Sequence, residues 1–360
     1  MNTLGKALKI TSIGESHGNL IGIVLDGCPA GLPLDLEKLQ TDLCRRRPGQ
    51  SDITSTRNEQ DQAEVLTGVY NGITTGAPIT IIIKNKDVDS SKYLKTKWVP
   101  RPGHADLTAE LKYGGYQDTR GGGRFSGRIT AGFVMAGSIA KQLLEILETR
   151  IVGYTQQVGR ITTTKIEKFE NIELNPVRCP DPESAEAMLL EIKNTRERGD
   201  SIGGKVRCIA INPPKGIGEP VFDTLEGDLA KAFFSIPAVK AVEFGAGTGF
   251  AEMRGSESND QYIIKDGEIK TITNNCGGIL GGISNGMPIM VTITFKPTPS
   301  ISMKQQTVNM NTGKETVLQV DGRHDPCIVP RAVPVVEAMM AIVLADLSIY
   351  SGKIPRILGN

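Results

Sequence analysis

Residues 335–347 read VVEAMMAIVLADL and are apolar on nearly every side of a helix. A helix without a polar face is either buried in a protein core or spans a membrane. The longest uninterrupted apolar run, Ala338 to Ala345, is far shorter than the ~20 residues that a membrane-spanning helix needs. Val335–Leu347 therefore predicts a buried core helix, and other elements must supply its apolar surroundings.

A second apolar helix is predicted to start from Arg128. It contains the small residues Ala131, Gly132 and Gly137, which let a neighbouring element approach closely. We expect this helix to pack against a neighbour in the core. Apolar residues recur along it at helical spacing and form one stripe: Phe133, Ala136, Ala140, Leu144 and Leu147.

The remaining patterns predict a mixture of helices and strands. Further helices are predicted from the N-cap Asp35 into Arg45–Arg47, over Ser184–Arg196 and over Leu225–Phe234. No linker or composition shift divides the chain, and the most linker-like stretch, Met253–Thr273, is short and mixed, so we expect residues 1–360 to form a single domain. Runs rich in β-branched residues predict strands at Leu8–Ile13, Leu20–Leu25, Ile79–Lys84, Lys205–Ile211, Val239–Phe244 and Pro288–Phe295.

The charge balance of the chain limits its partners. Its 360 residues include 41 basic and 40 acidic side chains with both signs interspersed, a formal net charge of +1. Such a chain is neither a polyelectrolyte tail nor a strongly basic coat protein, so any anion must be recognised locally.

The N-terminus lacks the apolar segment of a signal peptide, and the six cysteines contain no CxxC pair. We expect a cytoplasmic protein with reduced thiols, no metal site and no membrane or nucleic-acid partner.

The three histidines all lie in polar turns. His17 is in GESHG, His104 in RPGHAD and His324 in GRHDP, and this context predicts exposed rather than packed imidazoles. A single histidine is more often structural than catalytic, but three in such turns favour a catalytic interpretation. Since no two histidines have the HxH or HxxxH spacing of metal ligands, proton transfer is favoured over zinc binding.

Glycine is in excess and is concentrated in two stretches. The chain has 41 glycines, where average usage predicts about 25. Residues 113–128, YGGYQDTRGGGRFSGR, lead into the second helix, and the backbone N–H groups, hydroxyl and guanidinium groups of such a junction suit an anion. Residues 277–286, GGILGGISNG, would let a flat ligand approach the backbone, although a tight turn packed on itself fits equally well. The sequence contains neither GxGxxG nor GxxxxGK[ST].

Many arginines lie in predicted turns, mostly beside Gly or Pro. A guanidinium group binds a carboxylate or a phosphate through two parallel hydrogen bonds. In a chain of almost neutral charge, such a set favours a local anion site. It comprises Arg45, Arg46, Arg47, Arg57, Arg101, Arg120, Arg124, Arg128, Arg323 and Arg331.

Seven motifs, in their order and separation, closely resemble the chorismate synthase family: GESHG, RRRPGQS, RPGHAD, RGGGRFSGR, the Gly277–Gly286 run, KPTPSI and GRHDP. The resemblance implies an enzyme that converts 5-enolpyruvylshikimate 3-phosphate to chorismate by an anti-1,4 elimination of the phosphate and a C6 hydrogen. It implies a requirement for reduced FMN, although the reaction has no net redox change. It also implies an α/β fold, namely an α+β sandwich with central helices packed between antiparallel sheets, and a homotetramer.

The resemblance also assigns functions to residues of these motifs. His17 would donate a proton, or hold one, near the reduced flavin, and His104 would assist phosphate departure as an acid. Asp325 would help the flavin N5 to remove the C6 proton. The carboxylates and phosphate of the substrate require arginines, and the candidates are Arg46, Arg47, Arg101, Arg128 and Arg331. The flavin contacts of the family correspond to Arg124, Phe125, Ser126, Pro237, Ala238, Gly281, Lys296, Pro297, Thr298, Pro299, Ser300 and Arg323.

Asp52 departs from the family pattern. It stands where many relatives have a basic residue that is associated with NADPH contact. We therefore expect a monofunctional enzyme that takes reduced FMN from a separate flavin reductase, with NADPH at most an indirect reductant.

Two other classes of protein stay open. The TRGGGRF stretch resembles an RGG-type RNA contact, but the RGG unit occurs once and the chain has no net positive field to support RNA binding. An ordinary FMN oxidoreductase would require net hydride transfer to a substrate.

Overall fold

Seven helices occur in the part of the chain that the structure describes. The structure is a computed structural model, and it describes residues 1–49, 60–86, 97–320 and 324–359. Short 3₁₀ turns at Gly123–Phe125 and Gly127–Ile129 precede the third helix. In chain order the helices are α1 (Leu36–Arg46), α2 (Asp106–Tyr113), α3 (Thr130–Glu145), α4 (Pro182–Glu197), α5 (Leu225–Phe234), α6 (Gly255–Ser258) and α7 (Val329–Tyr350).

The two apolar helices, α3 and α7, pack against each other at the centre of the fold. Helix α7 is long and apolar enough to cross a membrane by length and composition alone, yet its apolar window is 100% buried inside the protein, as in a core helix. Gly137 of α3 permits the contact, because a Cβ at this position would lie 2.2 Å from the Cβ of Ala338. A Cβ at Gly132 would lie 2.9 Å from Cγ2 of Ile23. The predicted core helix and the predicted close approach are both confirmed.

The strands of the described residues range from two to nine residues in length. In chain order they are β1 (Thr3–Leu4), β2 (Lys9–Gly14), β3 (Leu20–Asp26), β4 (Glu64–Val65), β5 (Val69–Tyr70), β6 (Ile73–Thr74), β7 (Ile79–Lys84), β8 (Arg150–Val158), β9 (Ile161–Thr162), β10 (Gly204–Ile211), β11 (Val239–Phe244), β12 (Tyr262–Lys265), β13 (Glu268–Thr271), β14 (Ile279–Leu280), β15 (Ile283–Ser284), β16 (Ile289–Phe295), β17 (Gln305–Asn309) and β18 (Lys314–Leu318).

Two five-stranded antiparallel sheets lie on either side of the central helices. The first has the order β1-β2-β3-β7-β4, with Ile23 paired to Ile81, and packs β3 against α3. The second has the order β11-β16-β10-β8-β9 and packs β8 and β10 against α7. Each sheet buries an apolar face on a helix, which explains its β-branched sequence. This arrangement is the predicted sandwich of central helices between antiparallel sheets.

The sequence patterns predict most long elements closely and miss a few. Asp35 caps α1 as predicted, since its carboxylate accepts hydrogen bonds from the N–H groups of Glu37 and Lys38 at 2.9 and 3.0 Å. Strand β8, RIVGYTQQV, is not predicted, because its second half is polar and it follows α3 closely. Met253–Thr273, the most linker-like stretch, contains α6 and the hairpin β12–β13.

A charged cluster lies in the core beside α7. The Glu337 carboxylate accepts hydrogen bonds from Arg45 at 2.7 and 3.0 Å, from Lys141 at 2.8 Å and from the backbone N–H of Gly153 at 2.9 Å. Burial acts to raise the pKa of Glu337, but the charges and hydrogen bonds of Arg45 and Lys141 outweigh it and hold this pKa well below its usual range. The cluster therefore ties α1, α3 and β8 to α7.

Candidate active site

His17 lies in the turn after β2, beneath the glycine-rich loop of residues 113–128. It is 5% exposed, and its Nδ1 is 3.0 Å from the hydroxyl of Ser16. Gly121 closes on the ring with a φ of +90°, and a Cβ there would lie 2.3 Å from Nδ1. The predicted exposure is therefore wrong for His17, because a residue without a Cβ lets the loop pack directly on the imidazole.

Arg124, Phe125 and Ser126 lie where this loop leads into α3. The Arg124 guanidinium is partly buried and donates to the carbonyl of Gly14 at 2.9 Å and to Oδ1 of Asn2 at 3.0 Å. Burial lowers the pKa of Arg124. The Phe125 ring is exposed, and the Ser126 hydroxyl caps the 3₁₀ turn before α3. These residues therefore tie the loop to the turn of His17 and leave an aromatic ring accessible.

Two of the predicted substrate arginines, Arg46 and Arg128, meet on one buried carboxylate. They are 4% and 8% exposed, and both form ion pairs with Asp61, whose side chain is 0% exposed. Nε of Arg128 also donates to Oδ1 of Asn85 at 3.2 Å. The Asn85 amide then donates to two carbonyls of the turn that carries His17, at 3.1 and 2.9 Å.

Arg331 and Asp325 join this group from the start of α7. Nε of Arg331 donates to the carbonyl of Arg46 at 3.1 Å, and Nη1 forms an ion pair with Asp325. The structure thus brings together two predicted catalytic residues and three predicted substrate arginines. We call the connected set the His17 group: His17, Asn85, Arg128, Asp61, Arg46, Arg331 and Asp325.

His104 belongs to a second set, the His104 group, which consists of His104, Arg101 and Asp106. The Asp106 carboxylate lies 2.7 Å from Nδ1 of His104 and accepts hydrogen bonds from the Arg101 guanidinium at 2.7 and 2.8 Å. Burial acts to raise the pKa of Asp106, but the hydrogen bonds and charges of Arg101 and His104 outweigh it and hold this pKa well below its usual range. Because Nδ1 faces the carboxylate, Nε2 is the atom of this imidazole that can exchange a proton with a ligand.

The segment Lys296–Ser300 follows β16 and packs beside the His104 group. Nζ of Lys296 donates to the carbonyl of Gly103, and a Cβ at Gly103 would lie 3.3 Å from the Cβ of Pro299. The backbone N–H of Lys296 donates to the carbonyl of Ala238 at 3.0 Å, which brings Pro237–Ala238 to the start of the segment.

Residues Ser201 and Ile202 connect this segment to the turn of Asp325. The Ser201 hydroxyl donates to the carbonyl of Thr298 at 2.6 Å, and the N–H of Ile202 donates to the carbonyl of Pro326 at 2.8 Å. The two groups therefore belong to one connected region of the fold.

The Lys296–Ser300 segment has the chemistry that a flat, phosphorylated cofactor requires. The Thr298 hydroxyl is buried and has no hydrogen-bond partner within the described part of the chain. Ser300 supplies a second buried hydroxyl, Lys296 supplies a cation, and Pro297 and Pro299 stiffen the backbone. The residues present therefore fit the predicted FMN.

Gly281 stands apart from the other predicted cofactor residues. It is exposed at the turn of the hairpin β14–β15, and its neighbour Gly282 packs on Thr224 before α5. Among the described residues, no hydrogen bond joins Gly281 to the Lys296–Ser300 segment. The glycine run of residues 277–286 is thus a set of tight turns with one exposed tip.

The structure says little or nothing about four residues that the sequence singles out. Arg323, Asp52 and Arg57 lie outside the described residues. Arg47 lies at the C-terminal end of α1, where its N–H donates to the carbonyl of Leu43 at 2.9 Å. Within the described ranges, no group of three or more His, Cys, Asp or Glu side chains is arranged to hold a metal ion.

Three polar residues of the site, Asp61, Asn85 and Asp106, are not predicted from the sequence. Asp106 could have been predicted, because it is the last residue of the RPGHAD motif that contains His104. Asp61 and Asn85 carry no such signal, since each lies in an irregular segment with ordinary polar neighbours. Their position becomes apparent only from the arginines that they contact.

Known proteins resemble this chain over nearly all of its length. A profile of the chorismate synthase family matches residues 8–349. Chorismate synthases of Dehalococcoides mccartyi and Korarchaeum cryptofilum are 54% and 51% identical to it, over 99% and 95% of this chain and 99% and 96% of their own. A crystal structure of a chorismate synthase superposes with a TM-score of 0.76 at 30% identity, and the match covers 96% of this chain and 93% of that one. This chain belongs to the chorismate synthase family, and it is therefore a lyase that eliminates phosphate from 5-enolpyruvylshikimate 3-phosphate to form chorismate.

Proposed function

We propose that the His17 group and the His104 group divide this elimination between them. The His17 group binds anionic parts of the substrate and handles the proton at C6, and the His104 group assists the departure of phosphate. The observation that supports this division is a continuous set of hydrogen bonds and ion pairs. It leads from the turn that carries His17, through Asn85, Arg128, Asp61, Arg46 and Arg331, to Asp325.

The arginines supply the charge that the substrate needs. Its two carboxylates are ionised near neutral pH, its phosphate carries a charge of about −1.5 to −2, and guanidinium groups remain charged there. Arg46 and Arg128 are buried, so that they act in a medium of low dielectric constant, where an ion pair is stronger than in water. Arg331, Arg101 and Arg47 are the further candidates for the remaining acidic groups.

His104 assists the leaving phosphate as a general acid. The Asp106 carboxylate lies 2.7 Å from Nδ1 and fixes the orientation of the imidazole. Nε2 can then give a proton to a phosphate oxygen as the C–O bond breaks. Arg101, which shares the same carboxylate, holds the acid in place and adds positive charge near the departing anion.

Asp325 and His17 handle the other protons. The Arg331 guanidinium orients the Asp325 carboxylate, and this carboxylate assists removal of the C6 proton. His17 is enclosed by Gly121 and hydrogen-bonded to Ser16, so that it keeps one orientation and holds a proton in a site shielded from water.

The family is flavin-dependent, and we propose that the form used here is reduced FMN. Arg124, Phe125, Ser126, the Pro237–Ala238 pair and Lys296–Ser300 would hold it, with Gly281 and Arg323 as further predicted contacts. A reduced flavin held by these residues would supply transient electron density to the breaking C–O bond, which would account for a redox cofactor in a reaction without net redox change.

The reductant comes from elsewhere in this proposal. Asp52 replaces the basic residue that relatives associate with NADPH, so a separate flavin reductase supplies reduced FMN and NADPH acts only indirectly.

The enzyme works in the cytoplasm, in aromatic amino-acid biosynthesis. One hydrophobic core that includes both sheets, α3 and α7 supports a single domain over residues 1–360.

An anaerobic assay tests the proposed chemistry. The purified chain, with FMN reduced by dithionite, should form phosphate and chorismate in equal amounts from 5-enolpyruvylshikimate 3-phosphate, and the flavin should stay reduced. A folded, flavin-binding preparation that forms neither product would refute the proposal, and stoichiometric flavin oxidation would favour the oxidoreductase class. With NADPH in place of dithionite, we expect turnover only after a flavin reductase is added. Rapid NADPH-driven turnover without a reductase would refute that part of the proposal.

We further propose a homotetramer in which the hairpin β12–β13 contributes to subunit contacts. Tyr262, Ile264 and Ile269 of this hairpin are 67%, 81% and 71% exposed, and a two-stranded hairpin alone is only marginally stable. Ile264→Asp should lower the mass measured by light scattering. The same change at Leu174, which is 80% exposed elsewhere, should leave the mass unchanged. An unchanged mass in the Ile264 variant would exclude the hairpin from the interface.

A further inference from the structure

Two consecutive arginines at the end of α1 are held by two different buried acids. Arg45 pairs with Glu337 in the core cluster beside α7, whereas Arg46 pairs with Asp61 in the His17 group. Asp61 also pairs with Arg128. The Asp61 carboxylate therefore contacts two predicted substrate arginines, whereas the Glu337 carboxylate contacts none of them.

The Asp61 carboxylate is itself held firmly. Its side chain is 0% exposed, and its backbone adopts a φ of 47°, which few residues other than Gly, Asn and Asp adopt readily. Nε2 of Gln40, a residue of α1, donates to the Asp61 carbonyl at 3.1 Å, and the N–H of Ala63 donates back to Oε1 of Gln40 at 3.2 Å. The carboxylate thus occupies a fixed position relative to the helix that carries Arg46.

Each guanidinium makes a further contact that a rotation would break. Arg46 donates through Nη2 to the carbonyl of Gly127 at 2.7 Å and through Nε to the hydroxyl of Thr130 at 3.1 Å. Arg128 donates through Nε to Asn85 at 3.2 Å. Both cations also contact the same carboxylate, so they lie close together, and the Asp61 charge offsets their mutual repulsion.

We propose that Asp61 is a positioning residue for substrate binding: it holds Arg46 and Arg128 together so that the pair receives one anionic group, a carboxylate or the phosphate, of 5-enolpyruvylshikimate 3-phosphate. The inference rests on the proposed function of these arginines. Asp61 acts through Arg46 and Arg128. It does not itself contact the substrate, because its carboxylate and the anionic group of the substrate repel each other. Its removal should therefore weaken substrate binding more than it slows the chemical step.

The test compares Asp61→Asn with Glu337→Gln, since both replace a buried, arginine-paired carboxylate by its neutral amide. Steady-state kinetics under anaerobic conditions with reduced FMN give KM and kcat, and calorimetric titration with 5-enolpyruvylshikimate 3-phosphate gives Kd without turnover. Loss of a charge-assisted contact predicts a KM and a Kd for Asp61→Asn about 10–100-fold above wild type, with kcat within about threefold. Glu337→Gln should lower the unfolding temperature at least as much but keep KM within about twofold.

A double variant separates positioning from general stability. If Asp61 acts through Arg128, then Asp61→Asn combined with Arg128→Lys should raise KM less than the product of the two single effects. If Asp61→Asn does not fold, Asp61→Glu retains the charge, moves the carboxylate by one methylene group and should raise KM about 10-fold.

Several results would overturn the inference. They are an unchanged KM and Kd in whichever Asp61 variant folds, an equal rise in Glu337→Gln, or independent effects in the double variant. Wild-type protein that binds the substrate but does not turn it over would instead refute the proposed function, and the Kd comparison would still decide the role of Asp61.

Discussion

Replacement of Gly121 by alanine tests whether the glycine-rich loop positions His17. The added Cβ would lie 2.3 Å from Nδ1 and 2.4 Å from Cε1 of the imidazole, whereas ordinary van der Waals contact begins at 3.4 Å. The ring or the loop must therefore move by about 1 Å, and a displacement of that size in a catalytic group costs on the order of 100-fold in rate. We expect kcat of Gly121→Ala to fall about 100-fold in the anaerobic assay.

The backbone adds a separate cost that a control can isolate. An L residue at the φ of +90° of Gly121 is strained, by about 1–2 kcal/mol for the left-handed region. Gly114 has a φ of +60° and no atom within 4 Å of an added Cβ. Gly114→Ala should therefore lose about 1 kcal/mol of stability and keep kcat within about twofold, because its methyl group contacts nothing in the site.

The assay combines single-turnover phosphate release with thermal unfolding of each variant. Single turnover separates chemistry from product release, and thermal unfolding verifies that each variant is folded at the assay temperature. A single-turnover rate for Gly121→Ala within threefold of wild type would refute the positioning argument. An equal loss of rate in Gly114→Ala would refute it too, since backbone strain alone would then explain the effect.

Three further predictions concern the hydrophobic core, the charged cluster around Glu337 and the His104 group. Gly137→Ala would place a Cβ 2.2 Å from a Cβ of α7, so urea unfolding should show a loss of about 2 kcal/mol, from ~3 kcal/mol of overpacking less ~1 kcal/mol of gained helix propensity; Gly249→Ala, with open space around it, should change stability by under ~0.5 kcal/mol. Glu337→Gln should cost about 3–5 kcal/mol at pH 7. Since the folded pKa of Glu337 lies below its ordinary value of 4.5, its contribution is complete above pH 4.5, and the gap between wild type and variant should narrow as the pH falls below it; a gap that stays constant would contradict the assignment. Asp106→Asn removes the anion that orients His104 and should lower kcat about 10²-fold and alter the pH–rate profile, and a profile identical to that of wild type would return Asp106 to a purely structural role.

Local patterns predicted the elements whose burial is one-sided or complete. The predicted bounds of Leu225–Phe234, Ile79–Lys84 and Val239–Phe244 coincide with those in the structure. Periodicity is informative for Leu225–Phe234 and Ile79–Lys84 because each buries an apolar face. Val239–Phe244 is an edge strand that buries only Val239, and its β-branched residues indicated it. Strand β8 and helix α2 escaped prediction, because polar residues occupy half of the former and glycines follow the latter closely.

For the site, too, the sequence predicted which residues take part but not how they are buried. Motif order predicted His17, His104 and Asp325 as candidates, and the structure connects all three through hydrogen bonds of neighbouring residues. It also buries His17, against the expectation of exposure. Turn composition reports the backbone conformation of a segment, and it does not report which distant loop covers that segment.

The family, the apolar core helix and the residue types available for proton transfer and anion binding can all be read from the amino-acid sequence. These properties are local, because motif residues, hydropathy and charge are read directly along the chain. The contact of Gly121 with His17 and the bridge from Arg46 to Arg128 through Asp61 become visible only in the folded chain. Such contacts depend on how α1, α3 and the first sheet pack together, and an apolar pattern specifies that a face is buried without specifying which residues meet across it.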